Sequence, residues 1–425
     1  MIFLYQVDRE VIVKSYETAQ KIYAGFGVNT GQAMELFSNI PVSLHNWQGD
    51  DVKGFENLGN VESQNVVTGN YPGAARNGED MRADIEKAFS LSPCKHRVNL
   101  HSMYAEPKTP TPRNEVSPED FRKWIDWAKA KDLGLDFNAS FFTHPMMVDG
   151  FSLASRRKDV RDYWIKAGKG ARAISDAMGR ELGTPCVNNI WVPDGMKDTP
   201  ANRLIYRENL KDSLDRIFEA NYSRENMYDV LEGKLFGIGV ESFTVGSHEF
   251  YLAYAAKNGV GVCMDTGHYH PTESVVDKLS SVALLVDDVL LHISRGIRWD
   301  SDHVLIQGDE LTALMQELKR GCFFGKIAIG LDYFDATINR VAAWVIGLRA
   351  AGKAMLTALL EPTHLIEAAE ASGDYTSRLA LLEEFKNLPV NAVWDMLCVK
   401  NGVPVSSEWL DDLKSYENTV QNKRG

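Results

Sequence analysis

The stretches Val260-Gly-Val-Cys-Met-Asp-Thr-Gly-His268 and Val289-Leu-Leu-His-Ile-Ser294 carry the pattern that decides the fold. Each begins with a short run of apolar and β-branched residues and ends on polar side chains. This is typical of a buried parallel strand at the point where it meets its loop. Amphipathic segments separate such runs along the chain. Strands that alternate with helices form βαβ units, so the pattern predicts a parallel sheet.

Runs of the same type occur eight times along the chain. The predicted strands are Pro41–Trp47, Arg97–Tyr104, Gly134–Phe142, Cys186–Val192, Tyr228–Leu235, Val260–Asp265, Val289–Ser294 and Ile327–Phe334. Capping signals precede several of the helical segments between them, for example Ser117-Pro-Glu-Asp before Trp124 and Trp127. Eight strands predict an α/β fold of the (β/α)8 TIM-barrel type. An open doubly wound sheet is the alternative, but no GxGxxG motif follows a strand to support it.

Helical patterns without strands flank this predicted barrel. Residues 9–38 have apolar positions at helical spacing with a break at Gly27–Gly31, which predicts an N-terminal helical segment over residues 1–40. The barrel domain then covers residues 41–337, and a C-terminal all-helical extension covers residues 338–425. Its predicted helices are Ile338–Leu360, Arg378–Lys386, Ala392–Val399 and Glu408–Glu417. Such an extension packs on its own barrel or contacts a neighbouring subunit, and we expect an oligomer contact.

Composition and charge restrict the classes of function. The 425 residues include 46 basic and 58 acidic side chains, and the net charge of −12 disfavours a nucleic-acid partner. The five cysteines are widely spaced and never form CxxC, which excludes a disulfide framework and a zinc ribbon. The N-terminal apolar stretch is too short for a signal peptide, and no apolar run approaches the roughly 18–20 residues of a membrane span. We therefore expect a cytoplasmic protein without a membrane partner.

One long irregular stretch interrupts the predicted barrel. It runs from Gly49 to Gly78 and is rich in Gly, Asn and Gln. Connections of this length are often lids or binding loops, although a plain surface loop fits the composition equally well.

Potential metal ligands lie at the ends of the last four predicted strands. They are Glu232, Asp265, His268, His292, Asp300, Asp302 and Asp332, of which Asp300 and Asp302 fall in the loop after the seventh strand. The C-terminal strand ends of a TIM barrel open on one face, so these side chains should converge. Bare carboxylates in one pocket repel each other, and bound cations remove that cost. Seven ligands are too many for one ion, which predicts a two-metal site. The oxygen-rich set with imidazole and no thiolate favours Mn²⁺, Mg²⁺ or Co²⁺ over structural zinc.

Each ligand taken alone has a simpler interpretation. Asp265 or Asp332 could be a helix cap, and His292 could be a hydrogen-bonded core histidine. Independent structural roles rarely place so many ligand types at successive strand ends, so the combination favours the metal site. Glu241 could replace Glu232 at the end of the fifth strand, and spacing alone does not decide between them.

The chain also carries several longer motifs. They are Val42-Ser-Leu-His-Asn-Trp-Gln-Gly-Asp-Asp51, Gly54-Phe-Glu56, Thr68-Gly-Asn-Tyr-Pro-Gly73, Asn189-Ile-Trp-Val-Pro-Asp-Gly-Met-Lys-Asp198, Lys234-Leu-Phe-Gly-Ile-Gly239, Gly267-His-Tyr-His-Pro-Thr272 and Arg298-Trp-Asp-Ser-Asp-His-Val304. Together these motifs resemble bacterial L-rhamnose isomerase. The similarity extends from about residue 15 to the C-terminus. The wider group is similar to xylose isomerase, a barrel whose strand ends hold two divalent metals.

The resemblance implies a role for each candidate residue. A structural metal would be held by Glu232, Asp265, His292 and Asp332, and a catalytic metal by His268, Asp300 and Asp302, with Asp265 as a bridge. Lys234, His101 and Asp332 would be catalytic, and Trp191, His101 and Lys234 would bind the sugar. The Glu-x-Lys pattern of the family also selects Glu232 over Glu241. Two ions, preferably Mn²⁺ with Co²⁺, Mg²⁺ or Zn²⁺ as alternatives, and a homotetramer are implied.

The implied reaction is the interconversion of L-rhamnose and L-rhamnulose, an aldose–ketose isomerisation. We expect a metal-mediated 1,2-hydride shift, because the ligand carboxylates are occupied by metal; the rival route is a cis-enediol with Asp332 or Asp335 as the base. Phe55, Leu58, Val61, Val66 and Val67 would line a site for the methyl group of the sugar.

Two other classes of function remain as alternatives. The first is a two-metal hydrolase or phosphodiesterase, although Leu44-His-Asn-Trp47 lacks the His-x-His of amidohydrolase-like barrels. The second is a protein that binds sugar or metal without turnover.

Overall fold

Eight parallel strands close into a barrel in the computed structural model, which describes residues 7–56, 58, 69–297 and 299–424, with the backbone alone for residues 299–301. The barrel strands are β1 (Pro41–His45), β2 (Lys95–His101), β3 (Gly134–Asn138), β4 (Cys186–Trp191), β6 (Met227–Glu232), β8 (Gly261–Asp265), β9 (Val289–Ile293) and β12 (Ala328–Leu331). Their order is β1-β2-β3-β4-β6-β8-β9-β12, and β12 pairs again with β1. Each strand coincides with one of the eight predicted runs, so the TIM-barrel prediction is confirmed.

Helices precede, surround and follow this barrel. Before it lie α1 (Arg9–Gly25) and α2 (Thr30–Asn39). Around it lie α3 (Gly78–Phe89), α4 (Arg122–Ala130), α5 (Lys158–Leu182), α6 (Arg203–Ile217), α7 (His248–Asn258), α8 (Val276–Leu285), α9 (Asp309–Arg320) and α10 (Arg340–Leu359). After it lie α11 (Thr363–Ala371), α12 (Tyr375–Glu384), α13 (Val390–Lys400) and α14 (Trp409–Thr419). Helix α11, which buries only Ile366, was not predicted.

Local capping residues fix where the surrounding helices begin and end. The side chains of Asn77 and Ser247 accept hydrogen bonds from backbone N–H groups in the first turns of α3 and α7. Ser117 forms the predicted capping box in the short turn that leads into α4. Gly183 and Gly259 end α5 and α7 with φ of 67° and 66°, a conformation that favours glycine. Each helix therefore stops where the chain must turn back into the next strand.

Two short antiparallel hairpins stand outside the barrel. In the first, β5 (Gly195–Met196) pairs with β7 (Phe243–Thr244). In the second, β10 (Arg295–Ile297) pairs with β11 (Trp299–His303). The second hairpin corrects the sequence prediction of a loop after the seventh strand, because backbone pairing orders this segment. It places Asp300 and Asp302 on a strand.

One part of the barrel wall carries an apolar cluster. Val187, Val230, Cys263 and Leu290 form a buried cluster from four neighbouring strands. Polar side chains of the same strands lie above it, toward the C-terminal strand ends. Glu232 and Asp265 stand at that end of the barrel.

The C-terminal extension packs on its own barrel at several points. Helix α13 contacts α1 and α10, and its Trp394 ring lies edge-on to Phe37 at 6.2 Å between centroids. Arg424 donates hydrogen bonds to both carboxylate oxygens of Asp84 in α3, at 2.6 and 2.8 Å. Helix α12 differs, because none of its residues is buried. The predicted oligomer contact stays a prediction.

Helix α10 is a core helix of unusual hydropathy. Among the described residues it is the one helix long and apolar enough to cross a membrane by length and composition, with a mean hydropathy of 1.2. However, 83% of that window is buried inside the protein. It packs against α2, α3, α9 and α13, so its apolar character follows from its central position.

Candidate metal centre and sugar pocket

Four of the predicted ligands meet at the C-terminal end of the barrel. Glu232 ends β6, Asp265 ends β8, His292 lies in β9 and Asp332 follows β12. One ligand atom of each lies within 4.8 Å of the others. His292 Nδ1 is 3.4 Å from a Glu232 oxygen and 3.1 Å from an Asp332 oxygen. Parallel strand ends therefore produce one buried group of donors, as the barrel topology predicts.

A second group of donors shares Asp265 with the first. It consists of Asp265, His268 and Asp302, again with ligand atoms within 4.8 Å of one another. His268 Nδ1 also lies 3.0 Å from Glu232 Oε1, which joins the two groups. The side chain of Asp300 lies outside the described residues, so its role as a ligand stays a prediction. Six of the seven predicted ligands are thus brought together.

Gly267 allows the second group to form. A Cβ atom at this position would lie 2.7 Å from both Asp302 Oδ1 and Ser294 Oγ, so any other residue would displace one of these side chains. Its backbone N–H donates a hydrogen bond of 2.7 Å to Asp265 Oδ1. The turn between Asp265 and His268 can therefore accept the β10–β11 hairpin at close range. The sequence analysis did not select this glycine, although it stands inside a quoted motif.

Four carboxylates, those of Glu232, Asp265, Asp302 and Asp332, crowd this site beside two histidines. Burial raises the pKa of Asp265 well above its ordinary value, and the Asp302, Glu232 and Asp332 carboxylates add to the increase. Burial also acts to raise the pKa of Glu232, but His292 and His268 outweigh it and leave that pKa well below its usual range. Crowded buried carboxylates of this kind are stabilised by cations.

The donor atoms fit divalent ions. Among the described residues, Asp265 Oδ2 and His292 Nδ1, which faces the carboxylates, are buried without a hydrogen-bond partner. A buried polar atom without a partner is costly, and coordination to an ion would satisfy both atoms. Cys263 Sγ lies within 4.8 Å of Glu232 and His292 as a third group, but burial raises the pKa of its thiol and keeps it protonated. The fitting donors are thus carboxylates and imidazoles.

Two polar side chains orient the ligand carboxylates from behind. Trp47 Nε1 donates a hydrogen bond of 3.1 Å to Asp332 Oδ1, and Asn189 Nδ2 donates a short hydrogen bond to Glu232 Oε2. Partners of this kind fix the direction of a metal ligand and raise its affinity for the ion. Neither residue was predicted in this role, because the sequence alone does not pair distant strands residue by residue.

A pocket for a small molecule adjoins the ligand groups. It is lined by Trp47, Val52, His101, Asn138, Phe142, Trp191, Glu232, Lys234, His268, Asp302, Asp332 and Phe334. Lys234 Nζ lies 5.3 Å from the centre of the Trp191 ring, and that ring lies nearly parallel to His268 at 6.2 Å. The residues predicted to contact sugar, His101, Trp191 and Lys234, therefore face the same space as the metal ligands. Their individual roles stay predictions.

Aromatic rings form one wall of this pocket. The His101 ring lies edge-on to Trp47 at 4.5 Å and to Phe142 at 5.3 Å, and Phe142 continues the row to Trp191 at 5.4 Å. Val52 and Phe334 add apolar surface. The sequence analysis missed Trp47, Phe142, Val52 and Phe334 as lining residues, although the motif that begins at Val42 contains Trp47.

The residues proposed to surround a methyl group are only partly described. Phe55 packs edge-on against Tyr104 at 5.2 Å and does not line the pocket. Leu58 is described but is not a lining residue either. Val61, Val66 and Val67 lie outside the described residues. The apolar lining in the described structure comes instead from Val52 and Phe334.

A family model for L-rhamnose isomerase (RhaA) matches residues 10–424 of the chain. The chain belongs to the L-rhamnose isomerase family. The L-rhamnose isomerase of Klebsiella pneumoniae strain 342 is 49% identical over 413 residues, which is 97% of this chain and 99% of that protein. The L-rhamnose isomerase of Rhodopirellula baltica is 50% identical over 414 residues, 97% of each chain. A solved structure of L-ribulose 3-epimerase covers 75% of this chain and 95% of its own, with 11% identity and a TM-score of 0.46.

Membership of the L-rhamnose isomerase family confirms the resemblance stated from the sequence. It identifies the protein as an aldose–ketose isomerase. The alternative of a two-metal hydrolase is not supported. L-rhamnose isomerases are metal-dependent, and the two donor groups of this chain agree with that dependence.

Proposed function

We propose that this protein interconverts L-rhamnose and L-rhamnulose with the help of two divalent metal ions. The observation that carries the proposal is that Asp265 belongs to two donor groups beside one aromatic-walled pocket. Two-metal sites can bind neighbouring oxygens of one substrate. An aldose has two such oxygens, the carbonyl oxygen and the hydroxyl oxygen on the next carbon. Membership of the L-rhamnose isomerase family supports the choice of sugar.

The donor sets suggest how the ions divide. One ion would be held by Glu232, Asp265, His292 and Asp332, and the other by Asp265, His268 and Asp302, with Asp300 as a further ligand. Carboxylate and imidazole donors suit Mn²⁺ best, and Co²⁺, Mg²⁺ and Zn²⁺ are the alternatives. Ions held there would supply Lewis acidity for the isomerisation of the sugar.

Lys234 adds a fixed positive charge beside the reacting oxygens. Its Nζ lies over the face of Trp191, and both side chains line the pocket next to His268. The face of an aromatic ring attracts a cation electrostatically, so Trp191 helps to position the ammonium group. We propose that Lys234 stabilises the negative charge that develops on O1 during isomerisation.

His101 is suited to open the sugar ring. Burial lowers the pKa of His101 to about 3, so the imidazole is neutral at physiological pH. Ser140 Oγ accepts a hydrogen bond from the Met103 N–H at 3.4 Å and lies 3.0 Å from His101 Nδ1, and we propose that the Ser140 hydroxyl donates to this nitrogen. The proton of the imidazole then resides on Nε2. We propose that this N–H donates to the ring oxygen, since a cyclic sugar must open before C1 is a carbonyl.

The migration of hydrogen between C2 and C1 is proposed to be a direct hydride shift. A cis-enediol route needs a carboxylate that can move a proton between the carbons. Asp332 is held by Trp47 and faces His292, and Asp335 Oδ1 accepts hydrogen bonds of 2.7 and 2.6 Å from Thr337. Both carboxylates are thus engaged elsewhere. L-rhamnose deuterated at C2 should therefore keep its label when isomerised in ordinary water, and loss of most of the label would contradict the shift.

The decisive experiment measures ketose formation from L-rhamnose. Protein treated with EDTA should be inactive, and Mn²⁺, Co²⁺, Mg²⁺ or Zn²⁺ added back singly should restore activity to different degrees, with Mn²⁺ highest. Activity that persists after EDTA, or ketose formation that no metal restores, would contradict the proposal. A parallel assay with a model phosphodiester should release no phosphate.

We also propose a cytoplasmic homotetramer. All five cysteines are free thiols, which suits a reducing compartment. Helix α12 buries none of its residues and exposes Tyr375 and Leu379 at 65% and 64% of their surface, which suits a subunit contact. Light scattering coupled to gel filtration should give four times the mass of the 47.5 kDa chain. A monomer would contradict this assignment.

A further inference from the structure

The pocket wall at Val52 is formed by a turn in an unfavourable backbone conformation. Asp51 and Val52 have φ of 63° and 58°, in the left-handed region that non-glycine residues rarely adopt. The conformation is most costly for a β-branched residue such as Val52. Val52 is nevertheless buried, and it lines the pocket beside Trp47 and His101. Contacts from outside the turn must therefore hold it in place.

Arg340, the first residue of α10, provides such a contact. Its guanidinium donates two hydrogen bonds to the Asp51 carboxylate, from Nε to Oδ1 at 2.7 Å and from Nη2 to Oδ2 at 2.6 Å. The remaining nitrogen, Nη1, donates to the backbone carbonyl of Tyr71 at 2.5 Å. Arg340 is only 2% exposed, so this paired geometry is shielded from water. One side chain thus joins the turn to a second segment of the chain.

The second segment is itself fixed, which makes Arg340 a rigid link. The Tyr71 N–H donates to the Ala336 carbonyl at 2.8 Å, and the Tyr71 hydroxyl donates to Glu417 at 2.6 Å. Lys53 also lies 3.7 Å from Asp51, but its side chain is 69% exposed and gives a screened contact. Arg340 is therefore the buried charge partner of Asp51.

Other contacts of the turn do not replace this link. Asp50 accepts hydrogen bonds from the Tyr104 hydroxyl at 2.6 Å and from the Gly54 N–H at 2.8 Å. The Val52 N–H donates to the Trp47 carbonyl at 2.9 Å. The Asp50 bonds hold the residues on either side of the turn and the Val52 N–H bond ties its backbone to Trp47, whereas the Asp51 side chain depends on Arg340. The described structure places Arg340 among neither the metal donor groups nor the pocket lining.

We propose that Arg340 is a positioning residue for the sugar pocket. By fixing Asp51 it holds Val52 in its strained conformation against the substrate. Loss of the link lets the turn relax and withdraws part of the pocket wall, while the strand ends keep the metal ligands in place. The role rests on the proposed function, because it assumes that L-rhamnose binds in this pocket.

The test compares R340K and D51N with a matched control in the same helix. Arg349 is also a buried arginine of α10, and it donates to the carbonyls of Leu91, Pro404 and Ser406 away from the pocket. R349K therefore removes a comparable set of guanidinium hydrogen bonds and leaves the contacts of the Asp51–Val52 turn unchanged. For each variant, kcat and KM for L-rhamnose, the Mn²⁺ affinity by calorimetric titration, and the melting temperature are measured.

R340K and D51N should each raise KM about tenfold or more while kcat stays within about threefold of wild type, the pattern for a loss of ground-state binding. Their Mn²⁺ affinity should stay within about twofold of wild type. R349K should lower the melting temperature but leave KM unchanged. The double variant D51N/R340K should raise KM no further than either single change, because both remove the same link.

A wild-type KM in both R340K and D51N would overturn the positioning role, and so would an equal KM increase in R349K. If R340K does not fold, D51N alone decides, since it keeps the size of the side chain. A wild-type protein that forms no ketose from L-rhamnose overturns the proposed function itself and the Arg340 role with it. The two failures are therefore distinguished by which protein shows them.

Discussion

Asp265 is common to both donor groups, so its substitution should have a different effect from that of any other ligand. Asp265→Asn removes a carboxylate from both groups, whereas Asp302→Asn removes one from the second group alone. We expect the wild type to bind two Mn²⁺ ions, D302N to bind one and D265N to bind neither tightly. Asp335→Asn is the matched control, because Asp335 lies near the site and belongs to neither donor group.

The magnitude follows from linkage between metal binding and folding. An ion present at 100 times its Kd stabilises the folded state by about 2.7 kcal/mol, and two ions by about 5.4 kcal/mol. A chain of 425 residues has an unfolding entropy of about 0.9 kcal/mol/K, at about 2.1 cal/mol/K per residue. Saturation with Mn²⁺ should therefore raise the melting temperature of EDTA-treated wild type and D335N by about 6 °C, that of D302N by about 3 °C, and that of D265N by less than about 1 °C.

Differential scanning calorimetry and isothermal titration with Mn²⁺ measure these quantities. Metal-free D265N should be at least as stable as the metal-free wild type, because burial raises the pKa of Asp265 and the substitution removes the cost of its charge. A D265N protein that keeps the whole wild-type shift would refute the shared-ligand geometry. A D302N protein that loses the whole shift would show that the groups are not separate sites.

Four further outcomes are expected from other features of the site and the barrel. Trp47→Phe removes the donor to Asp332 and should lower kcat/KM by about 10- to 100-fold in steady-state assays, since bonds to charged groups contribute about 1.5–3 kcal/mol; an unchanged value would show that this bond is dispensable. Asn189→Leu should weaken Mn²⁺ binding about 10- to 100-fold by titration, because it frees Glu232 to rotate. Burial lowers the pKa of His96 to about 4, so this group makes the protein less stable as pH falls from about 6.5 toward 4; urea unfolding of His96→Phe should depend less on pH in that window, and equal slopes would contradict the assignment. L-mannose, which adds a hydroxyl, should be turned over with a kcat/KM about 10- to 200-fold below that of L-rhamnose, because an apolar lining rejects a hydroxyl weakly; no detectable turnover would make the lining argument wrong.

The sequence predicted the parts of the site that depend on topology. In a parallel barrel all C-terminal strand ends lie on one face. Ligands that the sequence places at the ends of four strands must therefore lie close together. Glu232, Asp265, His292 and Asp332 meet for this reason. His268 follows from its position three residues beyond the end of β8.

The parts that the sequence did not predict depend on packing between distant segments. Asp302 was placed in a loop, because the short strands of its hairpin have no apolar period to reveal them. Gly267 is needed only because Asp302 and Ser294 approach it. Trp47 is bonded to Asp332 across the chain, and no spacing rule indicates that pair. Shape complementarity of this kind becomes visible only when the backbone is folded.

The pairing of β1 with β12 has a consequence for how the protein is made in the cell. Ser43 in the first strand is registered with Gly330 in the last, and Trp47 reaches Asp332 just beyond it. A nascent chain must therefore emerge from the ribosome past this region before its first strand acquires both neighbours. Until then the barrel is open and the metal-ligand group lacks Asp332. Catalytic activity should therefore appear late in translation and in a single step.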